Sequence, residues 1–392
     1  MLLDALPTPA LLVDEGRLHA NLDRMQARAV REGVALRPHL KTHKSARIAA
    51  MQRERGARGV TVAKPSEAAV FVAAGFDDVR IAYPVVGAFR HETLLPLMDR
   101  ARISFCVDTL EGARAASEFY SRHDRTADVL LEVDTGYGRT GIGWDDEDAA
   151  GFARAVASLP GLRLAGLLTH EGDAYNGPRE GQTAHEALRH AMCQGRDRLL
   201  MLAQSLGAAG LARPGAFEVS VGSTPSASVF ENAERGGFRV TEIRPGNYCF
   251  FDAMQVALGA CRLEDCALTA LATVVSKRAG AAGTERVYLD AGKKTLTSDR
   301  GYGTDVNGAP AYGRPLYNAR TMRDFPHLRI TALSEEHAWC EVYGSATLAV
   351  GDRVRLVPNH ACVAVATQDV LHLVRGEEVI ETLPVDARGC VA

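Results

Sequence analysis

The chain has 392 residues, 46% of them hydrophobic, and a formal net charge of −3. This length predicts two domains. Because the charge is small and no Lys/Arg block stands out, nucleic acid and acidic membrane surfaces are disfavoured as partners. The N-terminus has acidic residues and prolines where a signal peptide needs a basic start and an apolar run, and no later run reaches membrane-spanning length. We therefore expect a cytoplasmic protein that binds a small molecule.

Short apolar runs alternate with helix-like stretches over the first 250 residues. Helix signals include the stretch 65–75, which opens with Pro65 and closes with Gly75. Eight such units predict a (β/α)8 barrel, with a doubly wound open sheet as the alternative, because periodicity does not distinguish a closed sheet from an open one. The predicted strands are 34–38, 59–63, 79–84, 102–107, 128–134, 164–170, 217–222 and 240–243.

The pattern changes after about residue 250. Strand-like runs such as "RVYLDAG", "AWCEVYG", "DRVRLVP" and "CVAVA" follow one another without comparable helices. We therefore predict a barrel domain over 1–249 and a mainly β domain over 250–392. The eight cysteines include no CxxC pair and no short-chain disulfide spacing, so we expect most of them to be reduced and buried.

Polar and glycine-rich segments follow the predicted barrel strands. In a barrel, the C-terminal strand ends form the rim of the active site. Taken singly, each segment also fits an ordinary turn or a solvated surface, but their joint placement on one face predicts a site. The segments are "LRPHLKTHK" (36–44), "DTGYGRTG" (134–141), "THEGDAYN" (169–176), "VGSTPSAS" (221–228) and "RPGNYCFFD" (244–252).

The motifs "TPALLVD", "RPHLKTHK", "VDTGYGRTGIG", "VGSTPSA", "RPGNY" and "PNHAC" extend over almost the whole chain. Their combination and order resemble the D-serine dehydratase and D-threonine aldolase family. These are pyridoxal 5'-phosphate (PLP) enzymes with an alanine-racemase-like barrel followed by a β domain. The resemblance also implies a homodimer. The lysine is followed by "THKS" instead of the "ANAYGHG" pattern of alanine racemases, so racemisation is a distant alternative.

The resemblance implies that Lys41 holds PLP as a Schiff base. Partial burial and the neighbouring cations Arg37 and Lys44 would lower the pKa of the Lys41 amine, which favours imine formation. From the residues alone, a solvated surface lysine is the alternative, and Lys44 is the competing lysine within the motif. We expect His39 and His43 to line the pocket, with packing or hydrogen-bonding roles as alternatives.

A cofactor phosphate needs several backbone N–H donors, which glycines bring close to the ligand. In barrels, the loops after the seventh and eighth strands often provide them. The residues that fit by position are Gly222, Ser223, Thr224, Gly246 and Asn247, with Tyr248 beside them.

Other polar side chains at the predicted rim have open roles. Arg244 matches the place where racemases of this fold set an arginine near the pyridine nitrogen, but its role here is left open. Arg139 suits the cofactor's phenolic oxygen or a substrate carboxylate, with a salt bridge to Asp134 as the alternative. His170 and Tyr175 would flank the cofactor ring, or act as ordinary polar core residues.

His360 and Cys362 are two residues apart, so in an extended strand their side chains point the same way and suit two ligands of one metal ion. A pair of core residues is the alternative. The resemblance favours the metal: the family's dehydratases carry His-x-Cys here, whereas its aldolases more often carry His-x-Asp. Imidazole with thiolate suits Zn2+, with Mn2+ or Mg2+ as alternatives.

These expectations combine into one function. The chain is predicted to be a PLP- and metal-dependent lyase that dehydrates D-serine, or another D-3-hydroxy amino acid such as D-threonine or 3-hydroxyaspartate, to a 2-oxo acid and ammonia. Cleavage to glycine and an aldehyde by a D-threonine aldolase is the main alternative. A racemase and a non-catalytic PLP-binding protein are more distant ones.

Overall fold

The structure, a computed structural model, describes residues 1–280, 284–305, 308–344 and 347–392. The chain divides into two units. The barrel unit consists of Arg24–Lys41, Ile48–Gly246 and Cys390–Ala392, and the β unit consists of Met1–Asp23, Thr42–Arg47 and Asn247–Gly389. Within the described ranges, no helix combines the length and the apolar composition needed to cross a membrane.

The barrel unit contains eight parallel strands, each at a position predicted from the sequence. Its last strand pairs with its first, and a backbone bridge between His39 and Thr61 joins the first strand to the second. Because every neighbouring pair is bonded, the sheet is closed, which confirms the barrel over the open sheet. The strands are Ala35–Leu36, Val60–Val62, Asp78–Pro84, Arg102–Val107, Ala127–Asp134, Leu162–Leu168, Glu218–Val221 and Glu242–Ile243.

Helices connect the barrel strands, and their starts follow capping rules. The longest helix begins after Thr183, whose hydroxyl accepts the N–H of Glu186 at 3.2 Å while the Glu186 carboxylate accepts the N–H of Thr183 at 2.8 Å. The α-helices up to residue 246 are Glu15–Glu32, Ala46–Glu54, Pro65–Ala73, Ala88–Leu94, Leu110–Arg122, Ala149–Ser158, Ala184–Ala208 and Thr224–Ala227. Shorter elements are the 3-10 turns Leu95–Asp99 and Gly172–Tyr175 and the strands Ile142–Gly143, Glu234–Arg235 and Phe238–Arg239.

The barrel interior contains a network of buried charges. The fully buried Arg80 donates to Glu242 and to Glu218. Glu242 also accepts from Arg37 Nε at 2.8 Å and from the Ser220 hydroxyl. Burial alone would raise the pKa of Glu242, but the charges of Arg37 and Arg80 hold it well below its usual range. The buried cations are therefore compensated, as burial of charge requires.

The β unit is built on a ten-stranded sheet that includes the N-terminal strand Ala10–Asp14. This strand pairs antiparallel with Leu268–Ala279 and parallel with Val370–Arg375. Leu12, Leu271 and Val374 pack together with Leu3 and Leu6 in an apolar cluster. The remaining strands of the sheet are Glu285–Leu289, Arg314–Asn318, Arg323–Asp324, Leu328–Leu333, Ala338–Val342, Arg353–Val357 and Glu378–Pro384.

Short helical segments complete the β unit. They are the α-helices Ala253–Ala257, Lys293–Leu296 and Ala361–Ala366 and the 3-10 turns Leu3–Ala5, Asn247–Cys249 and Leu263–Asp265. The observed units differ from the predicted domain ranges, 1–249 and 250–392, at the N-terminus, at Thr42–Arg47, at residues 247–249 and at Cys390–Ala392. Residues 1–23 belong to the β unit, because Ala10–Asp14 is hydrogen-bonded into its sheet.

Candidate functional site

Lys41 ends the segment that follows the first barrel strand, and its side chain is exposed. The expected partial burial of Lys41 is therefore wrong. Arg37 does not present an uncompensated charge either, because its guanidinium pairs with Glu242 and Asp78 at 2.8 Å each. The buried His39 accepts the backbone N–H of Lys41 through Nδ1 at 3.3 Å. His39 thus orients the Lys41 backbone.

The next histidine and lysine of the motif lie in the β unit and are buried. His43 accepts the N–H of Ser45 at 3.1 Å and packs edge-on against Phe250, with ring centroids 6.4 Å apart. Lys44 Nζ donates to the Ala387 carbonyl at 3.4 Å. These contacts support packing roles for both residues, so Lys41 is the better placed of the two lysines to receive a ligand.

His170 follows the sixth barrel strand and faces the next loop. Its Nδ1 lies 3.2 Å from the Gly222 carbonyl oxygen, so Nδ1 carries the proton and donates to that oxygen. Burial lowers the pKa of His170 to about 3, and the positive charges of Lys41 and Arg139 act in the same direction. Tyr175 lies beside the ring, with centroids 6.2 Å apart. The imidazole is therefore neutral and fixed in one tautomer.

The predicted phosphate loop requires glycine at Gly222. Its φ of 144° is a conformation that side chains rarely adopt, and a Cβ there would lie 2.7 Å from the Arg244 backbone nitrogen. Thr224 Oγ1 accepts the N–H of Gly246 at 3.2 Å. The structure thus brings Gly222, Ser223 and Thr224 together with Gly246 after the seventh and eighth strands, where the sequence placed them.

Arg244 points into the barrel interior. Its guanidinium is buried and donates to Ser220 Oγ and, at 2.5 Å, to the Thr169 carbonyl. Burial lowers the pKa of Arg244 to about 10 despite the nearby negative charge of Glu242. The guanidinium remains a cation at neutral pH, and both of its terminal nitrogens donate hydrogen bonds to acceptors within the barrel.

Arg139 lies on the exposed loop after the fifth strand. Its guanidinium lies 3.8 Å from the Glu132 carboxylate. The alternative salt bridge to Asp134 is not observed, because the Asp134 carboxylate accepts the N–H groups of Gly136 at 2.8 Å and Gly138 at 3.0 Å. Asp134 therefore shapes the loop and leaves the Arg139 guanidinium available to a ligand.

Asn247 and Tyr248, predicted to bind the cofactor, lie in the β unit and are buried. Asn247 Nδ2 donates to the Asp252 carboxylate at 2.5 Å. Asp252 in turn accepts the N–H of Ala361 at 2.9 Å and that of Gln255 at 3.0 Å. Asn247 thus supports an acidic residue that starts the helix Ala361–Ala366.

The local conformation expected for His360 and Cys362 is wrong. They do not lie in a strand: His360 caps the helix Ala361–Ala366 and Cys362 lies in its first turn. The helix forms because the buried Asp252 accepts the Ala361 N–H. The two side chains nevertheless hydrogen-bond to each other. The His360 and Cys362 side chains therefore do come together as predicted, but at the start of a helix and not in a strand.

A carboxylate and a hydroxyl adjoin this pair. His360 Nδ1 lies 2.7 Å from Asp299 Oδ2, and Cys362 Sγ lies 3.2 Å from Thr42 Oγ1. Burial alone would lower the pKa of His360, but Cys362, Asp252 and Asp299 together raise it to about 10. The surroundings of His360 and Cys362 therefore favour a positive charge.

Comparison with known proteins gives matches along the chain. The alanine racemase N-terminal domain family matches residues 13–254, and the putative serine dehydratase domain family matches residues 267–374. D-threo-3-hydroxyaspartate dehydratase from Delftia sp. is 35% identical over 368 residues, 91% of this chain and 91% of the relative. D-threonine aldolase from Arthrobacter sp. is 36% identical over 388 residues, 97% of this chain and 93% of the relative. The chain belongs to the D-serine dehydratase and D-threonine aldolase family.

The fold agrees with this membership. The solved structure of the Delftia dehydratase superposes with a TM-score of 0.85 at 34% identity, covering 98% of each chain. Members of the D-serine dehydratase and D-threonine aldolase family are PLP-dependent lyases with an alanine-racemase-like fold. The predicted family, fold class and enzyme class are thereby confirmed.

The barrel unit contains groups that are suited to binding PLP. Lys41 is exposed, and its positive charge helps to lower the pKa of His170. Because Gly222 has no side chain, its backbone can lie directly against the backbone of Arg244. For a metal, His360 and Cys362 supply an imidazole and a thiol. No group of three or more His, Cys, Asp or Glu side chains forms a ready ligand set in the part of the chain that the structure describes.

Sequence reasoning missed three acidic residues at these sites. Asp252 ends the polar segment 244–252 and Glu171 directly follows His170, so their positions after predicted barrel strands are a signal for both. Asp299 lies 61 residues before His360 and carries no recognisable local signal. The hydrogen bond between Asp299 and His360 depends on tertiary structure alone.

Proposed function

We propose that this chain is a PLP- and metal-dependent lyase that dehydrates a D-3-hydroxy amino acid, D-serine first among the candidates, to a 2-oxo acid and ammonia. The observation that carries the proposal is the pairing of His360 with Cys362, with Asp299 hydrogen-bonded to the imidazole. A borderline-soft ligand pair of imidazole and thiolate is the set expected of the dehydratases and suits Zn2+.

The cofactor half of the proposal rests on the barrel unit. Lys41 would hold the PLP aldehyde covalently, the Gly222–Thr224 loop would receive the phosphate, and neutral His170 would adjoin the ring. When bound, PLP withdraws electron density from the substrate α-carbon. The Lys41 amine would take up the substrate α-proton at Nζ. Arg139 would bind the substrate carboxylate, since the ion pair that its guanidinium makes within the described residues, with Glu132, is long at 3.8 Å.

The metal half of the proposal rests on the β unit. Because the protonated Nδ1 of His360 donates to Asp299, its Nε2 is the nitrogen available to a metal, and the carboxylate fixes the ring orientation. A metal held by His360 and Cys362 would stabilise the negative charge that develops on a departing hydroxyl group. The Thr42 hydroxyl, 3.2 Å from Cys362, would position the thiolate.

Relatives support this assignment. Two solved structures similar to this chain are variants of a D-threo-3-hydroxyaspartate dehydratase, and each is 34% identical with this chain. One has a cysteine replaced by alanine and is described as metal-free; the other has a histidine replaced by alanine. The two substituted positions are two residues apart, the same spacing as His360 and Cys362.

Aldol cleavage is the second candidate. The Arthrobacter D-threonine aldolase, at 36% identity, is as similar as the dehydratase. An aldolase would use the same cofactor but remove the β-hydroxyl proton and break the α–β carbon bond. Cys362 favours dehydration, because aldolases of this family more often carry aspartate there.

Chelation tests the metal half of the proposal. The purified enzyme is treated with EDTA, and metal content, visible PLP absorption and 2-oxo acid formation from D-serine are measured. We expect chelation to abolish turnover and leave the absorption in place, with Zn2+ restoring turnover. His360→Ala and Cys362→Ser should lose metal, whereas Cys193→Ser, a comparably half-buried cysteine in the barrel unit, should retain it. Full turnover without metal would refute the proposal.

We further propose that the enzyme is a cytoplasmic homodimer. The family resemblance supports the dimer. Light scattering of the purified protein tests it directly, and a mass of about one chain would contradict it.

A further inference from the structure

Glu171 is a buried acid for which the proposed reaction has no use. Its side chain is only 3% exposed. One carboxyl oxygen, Oε2, accepts the Ser226 hydroxyl at 2.5 Å. The other, Oε1, has no hydrogen-bond partner among the described residues. A buried carboxyl group with a hydrogen bond at only one of its two oxygens destabilises the fold, so its presence calls for a functional reason.

Ser226 connects Glu171 to the predicted phosphate loop. The Ser226 hydroxyl lies 2.8 Å from that of Ser223, and the two residues exchange backbone-to-hydroxyl bonds of 3.2 and 3.3 Å. Ser223 is the middle residue of the Gly222–Thr224 loop. The carboxyl of Glu171 therefore fixes the Ser226 hydroxyl, which in turn fixes the loop.

The long helix Ala184–Ala208 makes room for this carboxyl. A Cβ on Gly195 would lie 2.6 Å from Glu171 Cγ and 2.9 Å from Oε1. Glycine inside a helix costs about 1 kcal/mol relative to alanine. Glycine at position 195 therefore leaves the space that the Glu171 side chain fills, although glycine destabilises the helix relative to alanine.

The charged groups that face Glu171 are Arg244, at the end of the last barrel strand, and Arg196, on the long helix. Its chain neighbour His170 is neutral. Burial raises the pKa of Glu171 to about 7, and the Ser226 hydrogen bond and the two arginines lower it by less. The carboxyl therefore changes its charge near neutral pH.

We infer that Glu171 is a positioning residue for a phosphate group bound at the Gly222–Thr224 loop, and that the loop binds phosphate with the Glu171 carboxyl protonated. An ionised carboxylate hydrogen-bonded through Ser226 to this loop would repel a phosphate dianion, whereas a neutral carboxyl keeps the loop geometry without that repulsion. The inference rests on the proposed PLP site.

The test compares Glu171→Gln with the wild-type enzyme. Glutamine keeps the size and an acceptor for Ser226 but has no charge. Apoenzymes are titrated with PLP, and with pyridoxal as a probe that lacks the phosphate, at about pH 6 and about pH 8.5. We expect PLP to bind both proteins alike at the lower pH, and at least tenfold more tightly to the variant at the higher pH, since each unit above the pKa costs about tenfold. Pyridoxal should bind both proteins alike throughout.

Equal PLP affinities of the two proteins at both pH values would overturn the protonation claim. A second variant, Ser226→Ala, tests positioning: PLP should bind it at least fivefold more weakly at both pH values, with pyridoxal unaffected, and unchanged PLP binding would overturn the positioning role. Thermal unfolding of each apoenzyme verifies folding. If the wild-type enzyme bound no PLP covalently, the proposed function itself would fail, a result distinct from either of these.

Discussion

Asp252 anchors the helix that carries Cys362, and its removal should be costly. The carboxylate is fully buried and accepts from the Ala361 N–H, the Gln255 N–H and Asn247 Nδ2. Asp252→Ala leaves these three donors without an acceptor. Each unsatisfied buried donor costs about 1 to 3 kcal/mol. Allowing for partial relaxation, we expect a loss of about 3 to 5 kcal/mol in the free energy of unfolding of the β unit.

Urea unfolding followed by circular dichroism measures this loss, and metal content measures its consequence at His360 and Cys362. Asp252→Asn keeps one acceptor oxygen and should lose about half as much. Asp369→Ala is the matched control in the same unit, because its side chain is exposed and its pairing with Arg388 contributes about 0 to 1 kcal/mol. A loss for Asp252→Ala no larger than that of the control would refute the anchoring role.

Three further predictions concern the barrel unit. Lys41→Ala should remove the visible absorption of covalently held PLP together with turnover, and a chromophore that borohydride still fixes in that variant would identify a different lysine. Burial lowers the pKa of His91 to about 4, so the folded protein favours the neutral imidazole. The contribution of His91 to the free energy of unfolding should therefore be fully present above about pH 6.5 and fall by about 2 to 3 kcal/mol towards pH 4. His91→Gln should remove this part of the pH dependence of stability. Glu242→Gln should cost about 3 to 5 kcal/mol, because Arg37 and Arg80 lose their shared buried carboxylate, and an unchanged melting temperature would contradict this.

The barrel could be predicted from the sequence because its strands carry strong local signals. The strand Ala127–Asp134 is buried along almost its whole length, and the apolar residues that make up most of it supply a local strand signal. The closeness of the Gly222 loop to Gly246 follows from chain order in a parallel barrel. The order of the strands along the chain was therefore enough to predict that these two loops lie next to each other.

Other features depended on distant contacts. The run "CVAVA" has strand propensity, but Asp252, 109 residues earlier, accepts the Ala361 N–H and starts a helix there. The Lys41 environment differed from expectation because Arg37 is paired with Glu242, 205 residues away. The strand Ala10–Asp14 joins the β unit by pairing with residues beyond 267. None of these partners is visible within a local sequence window.

The products formed from D-threonine test the central claim most directly. The metal-replete enzyme is incubated with D-threonine, and 2-oxobutanoate with ammonia is quantified against glycine with acetaldehyde. Dehydration predicts that 2-oxobutanoate and ammonia form in equal amounts and dominate, and that His360→Ala forms neither. Glycine and acetaldehyde as the main products would contradict the account and identify the enzyme as an aldolase.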